Sequence, residues 1–483
     1  MSENDKNENY NIHPYQTNNW VNISLENNRY RFLKDSRFGT GGYKNGTYLV
    51  PHKREDQNDY NLRRSKSFYN NQYSPILSAH YKPIFKNKAL RKINEDAPQT
   101  FVDLYEVFLE DADGRGNSLQ KTIEQAAANT KNLGASFLVM NNESEIDSSI
   151  EDVLESRSGV PYAFIITPDM VYTYSTDSFG NLTSLEWVQM DGELTYNNLG
   201  QLSTGDNAFQ NGSSEAETII VGVNAERWYT RDENGETTTI ADNTIGEIPV
   251  VRLVEDETDD IIPEPSLYSV ARIQHRIFNL DSIITDVSDN QGFSIFTMPS
   301  HPNSGVEFGT TKGISYPADS TNKPEFISPD AQQLKTLIDL ENSLVNMCYQ
   351  AGVVSHLQRF QQSAESKELD RARLNDLLGT FKYQIEQSET KLMDLFGLYV
   401  GYDYEYMVKY SDDYGVSTIA EQIDRFLSLD ATRISETLFS ALEKDLASNL
   451  LDFEDEDMKT EFLEMISEER KAKSDADALD RQF

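Results

Sequence analysis

The sequence holds almost no cysteine, a single Cys348 in 483 residues. A lone thiol closes no internal disulfide and builds no cysteine-rich zinc site. Long hydrophobic runs are missing as well. The longest, around 137–140 and 163–166, have the length of a core strand, far below the ~20 apolar residues of a membrane span. The opening stretch MSENDKNEN has neither a basic n-region nor an apolar h-region, so no secretory signal is expected. Together these absences point away from a membrane, to a reducing cytoplasm or a particle assembled in one. Positive charge is scarce too: 43 Lys and Arg stand against 80 Asp and Glu, a formal net charge of −37. A basic face for neutralising phosphates would have to be built against that background, and an anionic membrane surface would repel the chain.

Aromatic residues are not scarce. With 25 Tyr and 23 Phe, 11% of the chain is aromatic, which excludes an acidic disordered chain. The length suggests about three structural units at roughly 100–200 residues each.

Catalytic and metal motifs are hard to find. The six histidines, His13, His52, His80, His275, His301 and His356, show no HxxH or HExxH spacing and read as surface or packing residues. There is no G-x-S-x-G elbow. The glycine-rich stretch GTGGYKNG (39–46) departs from a P-loop, because Lys44 is followed by Asn45, and reads as a flexible turn. Asp111, Asp113 and Gly116 imitate a calcium loop, but Arg115 and Thr122 occupy positions that need ligands. A turn capped by Asx side chains is expected there instead. The acidic runs at 255–260 and 452–457 read as solvated faces or linkers. No catalytic residue, metal ligand or cofactor is expected.

The organisation is more informative. An Asn-rich arm covers 2–20. From Arg54, a polar stretch with Tyr60, Leu62, Phe68, Tyr73, Ile76, Leu77 and Phe85 fits one long helix, or two divided at Pro75. The helical pattern resumes over 101–109. Ser118 reads as the N-cap of a helix ending at Gly134, followed by the buried strand ASFLVMN. Residues 161–254 carry β-branched and aromatic runs separated by glycine turns, which predicts one antiparallel meander. Pro263 and Pro265 are placed at the start of a helix. Leu267, Val270, Ile273, Ile277, Leu280, Ile284 and Val287 give it a single narrow apolar seam. A Pro/Gly-rich insert with strand candidates SIFTM, GVEFG, GISYP and PEFIS follows. A second helix, begun by Pro329 and Asp330, carries Leu334, Leu337, Ile338, Leu344, Val345 and Cys348 on one face up to Gly352. A third helix from Glu365 to about Leu398 has Leu369, Leu377, Leu378, Phe381, Ile385, Leu392 and Phe396 on its buried face. DYEYMVKY reads as a short strand. The rest, from Ser417, is helical and charged.

A β-rich unit, a long helix, a small β insert, a second long helix, a loop and a third long helix form an ordered set. In that order it resembles the portal protein of tailed bacteriophages. The stretches that carry the likeness are YLVPHKREDQNDYNLRRSKSFYNNQYSPILSAHYKPIF (48–85), EDADGRGNSLQKTIEQAAANTKNLGASFLVMN (110–141) and GEIPVVRL (246–253). YSVARIQHRIFNLDSIITDVSDNQGFSIFTM and QQSAESKELDRARLNDLLGTFKYQIEQSETKLMDLFGLYVG extend it, so that it covers about residues 45–400.

The resemblance implies an α+β portal fold, with an α/β wing, an antiparallel stem helix pair, a small β-containing clip, a long wing helix and a helical crown. It places the arm and wing at 1–263, the stem helices at 264–290 and 330–351, and the clip at 291–329. The tunnel loop falls at 352–364, the wing helix and returning strand at 365–416, and the crown and tail at 417–483. It implies a non-catalytic dodecameric ring at one capsid vertex of a virion, assembled in the host cytoplasm, through which double-stranded DNA passes. Its partners would be the terminase large subunit, a head–tail adaptor and the major capsid protein. His356, Gln358, Arg359, Gln361 and Gln362 become the channel-loop candidates. Phe296, Val306, Phe308, Tyr316 and Phe326 become clip residues for docking terminase or connector. Arg272, Arg276 and Lys335 on the stem would touch phosphates or pair with a neighbour's carboxylates, the second being the commoner use in paired helices. Two other readings stay open: another virion assembly protein such as a head–tail adaptor or capsid-associated factor, and a metal-dependent hydrolase using Asp256 or Asp259.

Overall fold

A computed structural model describes residues 21–52, 55–142, 160–190, 218–232, 235–291, 295–297, 325–327, 331–355, 364–411 and 414. The chain divides into two compact units, Met1–Asp413 and Tyr414–Phe483. The fold below is that of the first, a mixture of helices and antiparallel sheets, as the predicted α+β class requires.

The N-terminal layer is helical. The described chain begins with α1 (Val21–Phe38), which the Asn-rich sequence does not announce. Its Tyr30 and Leu33 are buried, and so are Asp35 and Ser36. Asp35 organises the glycine-rich loop. Its carboxylate accepts from Thr40 Oγ1 at 3.1 Å, Gly42 N at 3.3 Å and Tyr48 OH at 2.8 Å. The loop is therefore not a flexible turn: it holds the short α2 (Gly42–Asn45), and a Cβ at Gly41 would collide with the Asp35 carboxylate. The next stretch forms two helices, α3 (Gln57–Lys66) and α4 (Tyr73–Ala79). They part at 67–72 rather than at Pro75, which falls inside the first turn of α4, where no backbone N–H is needed. Asp56 caps α3 by accepting from the N–H groups of Asn58 and Asp59.

After a 3₁₀ turn (Lys82–Phe85) and the short strand β1 (Leu90–Ile93) come α5 (Gln99–Glu110) and α6 (Leu119–Leu133). Ser118 caps α6 and Gly134 ends it, as the sequence predicts. β2 (Ala135–Asn141) is buried along nearly its whole length. A strand apolar on both faces must be paired on both edges and covered on both sides. This splits the predicted single meander in two. β3 (Tyr162–Ile166) and β9 (Val250–Val254) flank β2 in an antiparallel three-stranded sheet. Only β4 (Val171–Thr176), β5 (Leu182–Met190), β6 (Thr218–Asn224), β7 (Arg227–Arg231) and β8 (Thr237–Asp242) form the meander, in sequential order. One core joins the sheets, with Phe137, Val139, Ile166 and Val250 from the first and Leu185, Trp187, Val223 and Trp228 from the second. On the meander, Glu186 is buried and accepts from Tyr229 OH at 2.9 Å and from Arg231 at 2.6 and 2.8 Å. Gly222 lies between them in the ladder, and a Cβ there would meet the Tyr229 ring at 2.6 Å.

The chain then leaves the sheets. α7 (Tyr268–Gln291) starts three residues beyond Pro265, whose carbonyl accepts from Tyr268 N; the prolines precede the helix rather than begin it. β10 (Ile295–Thr297) and β11 (Glu325–Ile327) pair antiparallel, and α8 (Ala331–Ala351) follows. α9 (Ala364–Val400) lies against β2 and β9 through Leu378, Phe381, Ile385, Leu392 and Phe396, all buried as predicted. Leu377 is not: it is 43% exposed, because it sits about 100° around the helix from Leu378. The side chain of Leu369 lies outside the described residues. β12 (Tyr406–Lys409) closes the unit by pairing with β1.

One buried polar cluster fixes that closure. Glu389 of α9 has no exposed surface. It accepts from Arg91 Nε at 2.7 Å, Arg91 Nη2 at 3.2 Å, Tyr406 OH at 2.6 Å and Tyr410 OH at 2.5 Å. Removing one partner leaves a buried charge uncompensated, at a cost of about 3–5 kcal/mol. Glu389→Ala should therefore lower the unfolding free energy by about that amount in a denaturant titration, and Arg91→Ala nearly as much.

Candidate functional site

Chemistry-bearing side chains are dispersed into structural work. Among the described residues, no group of three or more His, Cys, Asp or Glu is placed to hold a metal ion. The calcium-like stretch is an Asx turn: Asp111 accepts from Gly116 N at 2.6 Å, and Asp113 from Arg115 N at 3.0 Å and Asn117 N at 3.1 Å. The acidic run at 255–260 is more than a solvated linker. Glu255 takes a bond from Lys131 at 3.2 Å and from Ser266 at 2.9 Å, while the backbone carbonyls of Thr258 and Asp260 receive the Arg252 guanidinium. The run at 452–457 lies outside the described residues. Cys348 is buried beside the Val270 carbonyl, and burial pushes its thiol up to about 12. Among the described residues, no helix is long and apolar enough to cross a membrane.

What stands out is the hairpin of α7 and α8. Cys348 near the end of α8 meets Val270 near the start of α7, so the helices run antiparallel. Val270, Ile277, Leu344 and Cys348 are buried. The predicted seam is half right. Leu267 and Leu280 are buried as well, but Ile273, Ile284 and Val287 are only half-buried. The polar side of α7 does not face water. Gln274 accepts from Gln72 N and donates to Asn70 O, at 2.9 and 2.7 Å. His275 Nε2 donates to Tyr48 O at 2.7 Å, and Asn279 bonds both Tyr48 O and Val50 N. Ser282 receives Arg63 Nη1 at 2.9 Å, and that arginine is itself held by Glu55 at 2.6 and 2.7 Å. Phe278 completes an aromatic cluster with Tyr43, at 5.1 Å between ring centres. These polar anchors resemble an ordinary solvent face in the sequence, which is why pattern reading missed them.

Arg272, Arg276 and Lys335 are all exposed, and none has an ion-pair partner among the described residues. Phe296 and Phe326 stand opposite each other in the β10–β11 ladder. Val306, Phe308 and Tyr316 lie outside the described residues, as do His356, Gln358, Arg359, Gln361 and Gln362. Between α7 and α8, Asp281 and Glu341 are half-buried and have no hydrogen-bond or ion-pair partner among the described residues. Burial raises both carboxyls above their ordinary range, and the charge of Asp281 adds to the effect on Glu341. On α8, Ile338, Leu340 and Met347 are exposed apolar side chains.

The exit of α8 is over-determined. Val354 N donates to Tyr349 O and Val353 N to Gln350 O, both at 3.0 Å, which is a Schellman turn. The left-handed position of that turn holds Val353, with φ of 55°, where glycine is usual. A β-branched residue there is strained by about 1–2 kcal/mol. The turn is held by His80, whose Nε2 donates to Gly352 O at 2.7 Å, and by buried Val354 and Ser355.

No protein-family model matches the chain, and no curated protein does. Among solved structures, the chain is similar to one in the neck of an empty gene transfer agent particle, computed with C6 symmetry. The TM-score is 0.40 at 9% identity, covering 79% of this chain and 92% of that one. It is also similar to a chain of the virion of a native gene transfer agent particle, with a TM-score of 0.38 at 10% identity, covering 78% and 94% respectively.

The His80 contact makes a pH prediction. Burial, with Lys131 nearby, depresses the imidazole to about 4, against about 6.5 in an unfolded chain. A lowered folded value means that the contribution is complete above the unfolded value and is lost as pH falls through the folded one. The stability of the wild type relative to His80→Gln should fall by about 3 kcal/mol between pH 7 and pH 4, measured by denaturant unfolding of both proteins.

Proposed function

We propose that this chain is a subunit of the portal ring of a tailed-bacteriophage-type particle, a structural and non-catalytic conduit for double-stranded DNA. The observation that carries the proposal is the order and form of the parts. An antiparallel hairpin, α7 and α8, is tied by the β10–β11 pair, and a turn leads on to a 37-residue helix seated on a three-stranded sheet. That is the arrangement of stem, clip and wing helix which the sequence resemblance implies. Exposed Ile338, Leu340 and Met347 support it, since apolar side chains exposed on a helix are covered when copies stand side by side.

Electrostatics supports the same reading. DNA must slide through such a ring without being held, and each neutralised phosphate adds affinity through counterion release. A subunit with a net charge of −37 presents few cations to do so. On this reading the segment from 291 to 329 docks the terminase large subunit and then a head–tail adaptor, and the outer body meets the major capsid protein at one vertex. The ring number is expected to be twelve.

Negative-stain imaging and native mass spectrometry of the purified full chain test the proposal. The expected result is a closed ring with a central channel. A stable monomer at high concentration, both alone and with capsid protein, overturns it.

A further inference from the structure

We infer that a second copy of this chain seats on the side of the α7–α8 hairpin turned away from the N-terminal helices, an apolar face rimmed by Arg272 and Arg276. The inference rests on the ring reading above and names a surface by which neighbouring copies meet.

The contacts of α7 divide its circumference. Val270 and Ile277 are buried on the side of α8, where Cys348 meets the Val270 carbonyl. Gln274, His275, Phe278, Asn279 and Ser282 are taken by residues 43–72, and Asp289 by Lys66 of α3. At about 100° per residue, these positions fill a little over half of the helix. Left over are Arg272, Arg276, Ile283 and Val287, about 200–260° around from Val270. The arginines are exposed, and the other two are half-buried. α8 divides in the same way. Leu344 and Cys348 are buried toward α7. Tyr349 OH donates to Gln72 at 3.1 Å, so that flank of α8 lies toward the N-terminal helices. Leu340 and Met347, 43% and 49% exposed, stand about 40–60° from Leu344 on the opposite flank. Ile338 falls on the Tyr349 flank and is not part of the face. The unclaimed flanks of the two helices therefore lie on one side of the hairpin.

Ile283, Val287, Leu340 and Met347 line that side, with buried Leu280 and Leu344 between them. At 1.5 Å per residue and about 10 Å per helix, it measures about 20 by 20 Å, or about 400 Å². An apolar face of that size marks an interaction site. Its chemistry selects the occupant. Aliphatic side chains and methionine offer nothing to phosphates, so DNA does not suit it. Arg272 and Arg276 have no ion-pair partner among the described residues, and they call for carboxylates at the partner's edge. A second copy supplies these, with 80 Asp and Glu against 43 Lys and Arg. The area is about half of the ~800 Å² per partner that a stable pair buries. It therefore suits an assembly in which each copy is held on two sides, as head-to-tail contacts closing into a ring provide.

The test uses the full chain. Sedimentation and native mass spectrometry compare the wild type with Leu340→Glu/Met347→Glu across a range of concentrations. Leu377→Glu, at a leucine of α9 that is also 43% exposed, is the control. The double variant should need at least tenfold more protein to assemble, and the control should stay within a few-fold of the wild type. Should the double variant fold poorly, Met347→Cys gives an independent measurement. Its alkylation by iodoacetamide should be at least tenfold slower in the assembled protein than in the dilute monomer, with buried Cys348 contributing no background. Rings formed by the double variant at wild-type concentration, or alkylation as fast in rings as in monomer, overturn the inference and leave the ring reading standing. A control as disruptive as the double variant also overturns it, because the effect is then not specific to this face. A wild type that never forms a ring overturns both.

Discussion

The α7–α8 hairpin depends on the two-sidedness of α7. Its first half is gripped by backbone groups of 48–50 and 70–72 and by the buried Arg63–Glu55 pair, through Gln274, His275, Asn279 and Ser282. Its second half lies beside α8 and the end of α3, with the Lys66–Asp289 bridge between α3 and α7. A helix gripped along one half carries that orientation into the other, because it transmits direction along its hydrogen-bonded length. The body of the protein therefore sets the direction of the hairpin. A change at Arg63 or Glu55 would be felt along the hairpin.

The distribution of cations explains how so acidic a chain stays folded. Arg63, Arg91 and Arg231 each meet a buried or nearly buried carboxylate, 8, 298 and 45 residues away in sequence respectively. Lys131 is buried against Glu255 and lies over the Phe381 ring at 4.3 Å. Arg252 is taken up by backbone carbonyls. Of these inward cations all but Arg252 take a carboxylate with them, so the net charge left at the surface stays close to that of the composition. Arg272 and Arg276 are notable because they are not used in this way.

Much of the fold could be read from the sequence where one short-range signal was strong. The Ser118 cap and Gly134 stop bounded α6, and uninterrupted apolar character marked β2 as a fully covered strand. Heptad-like spacing located α7, α8 and α9 to within a few residues. What escaped depends on long-range partners. The helix α1 has few apolar residues and is stabilised by burying Tyr30 and Leu33 against elements that come later. The β1–β12 pair joins residues more than 300 apart. The split of the predicted meander follows from the edge requirements of β2, which no local pattern in 161–254 contains. At the site, the exposed arginines were legible as charges on a helix. The half-burial of Asp281 and Glu341 was not, since each reads alone as an ordinary surface acid.

Among the described residues, the five-stranded meander has β4 and β8 as its edge strands, the positions at which a sheet is open to pairing with another chain. Both show register irregularities against their neighbours, at Val171/Thr173 and Ser175/Thr176 for β4 and at Trp228/Tyr229 beside β8. Such irregularities twist a sheet margin and spoil its fit to a second flat strand. When a protein is made in many copies and gathered at one place, the margins of every copy meet at high local concentration. Irregular margins of this kind then keep crowding from turning into fibril growth.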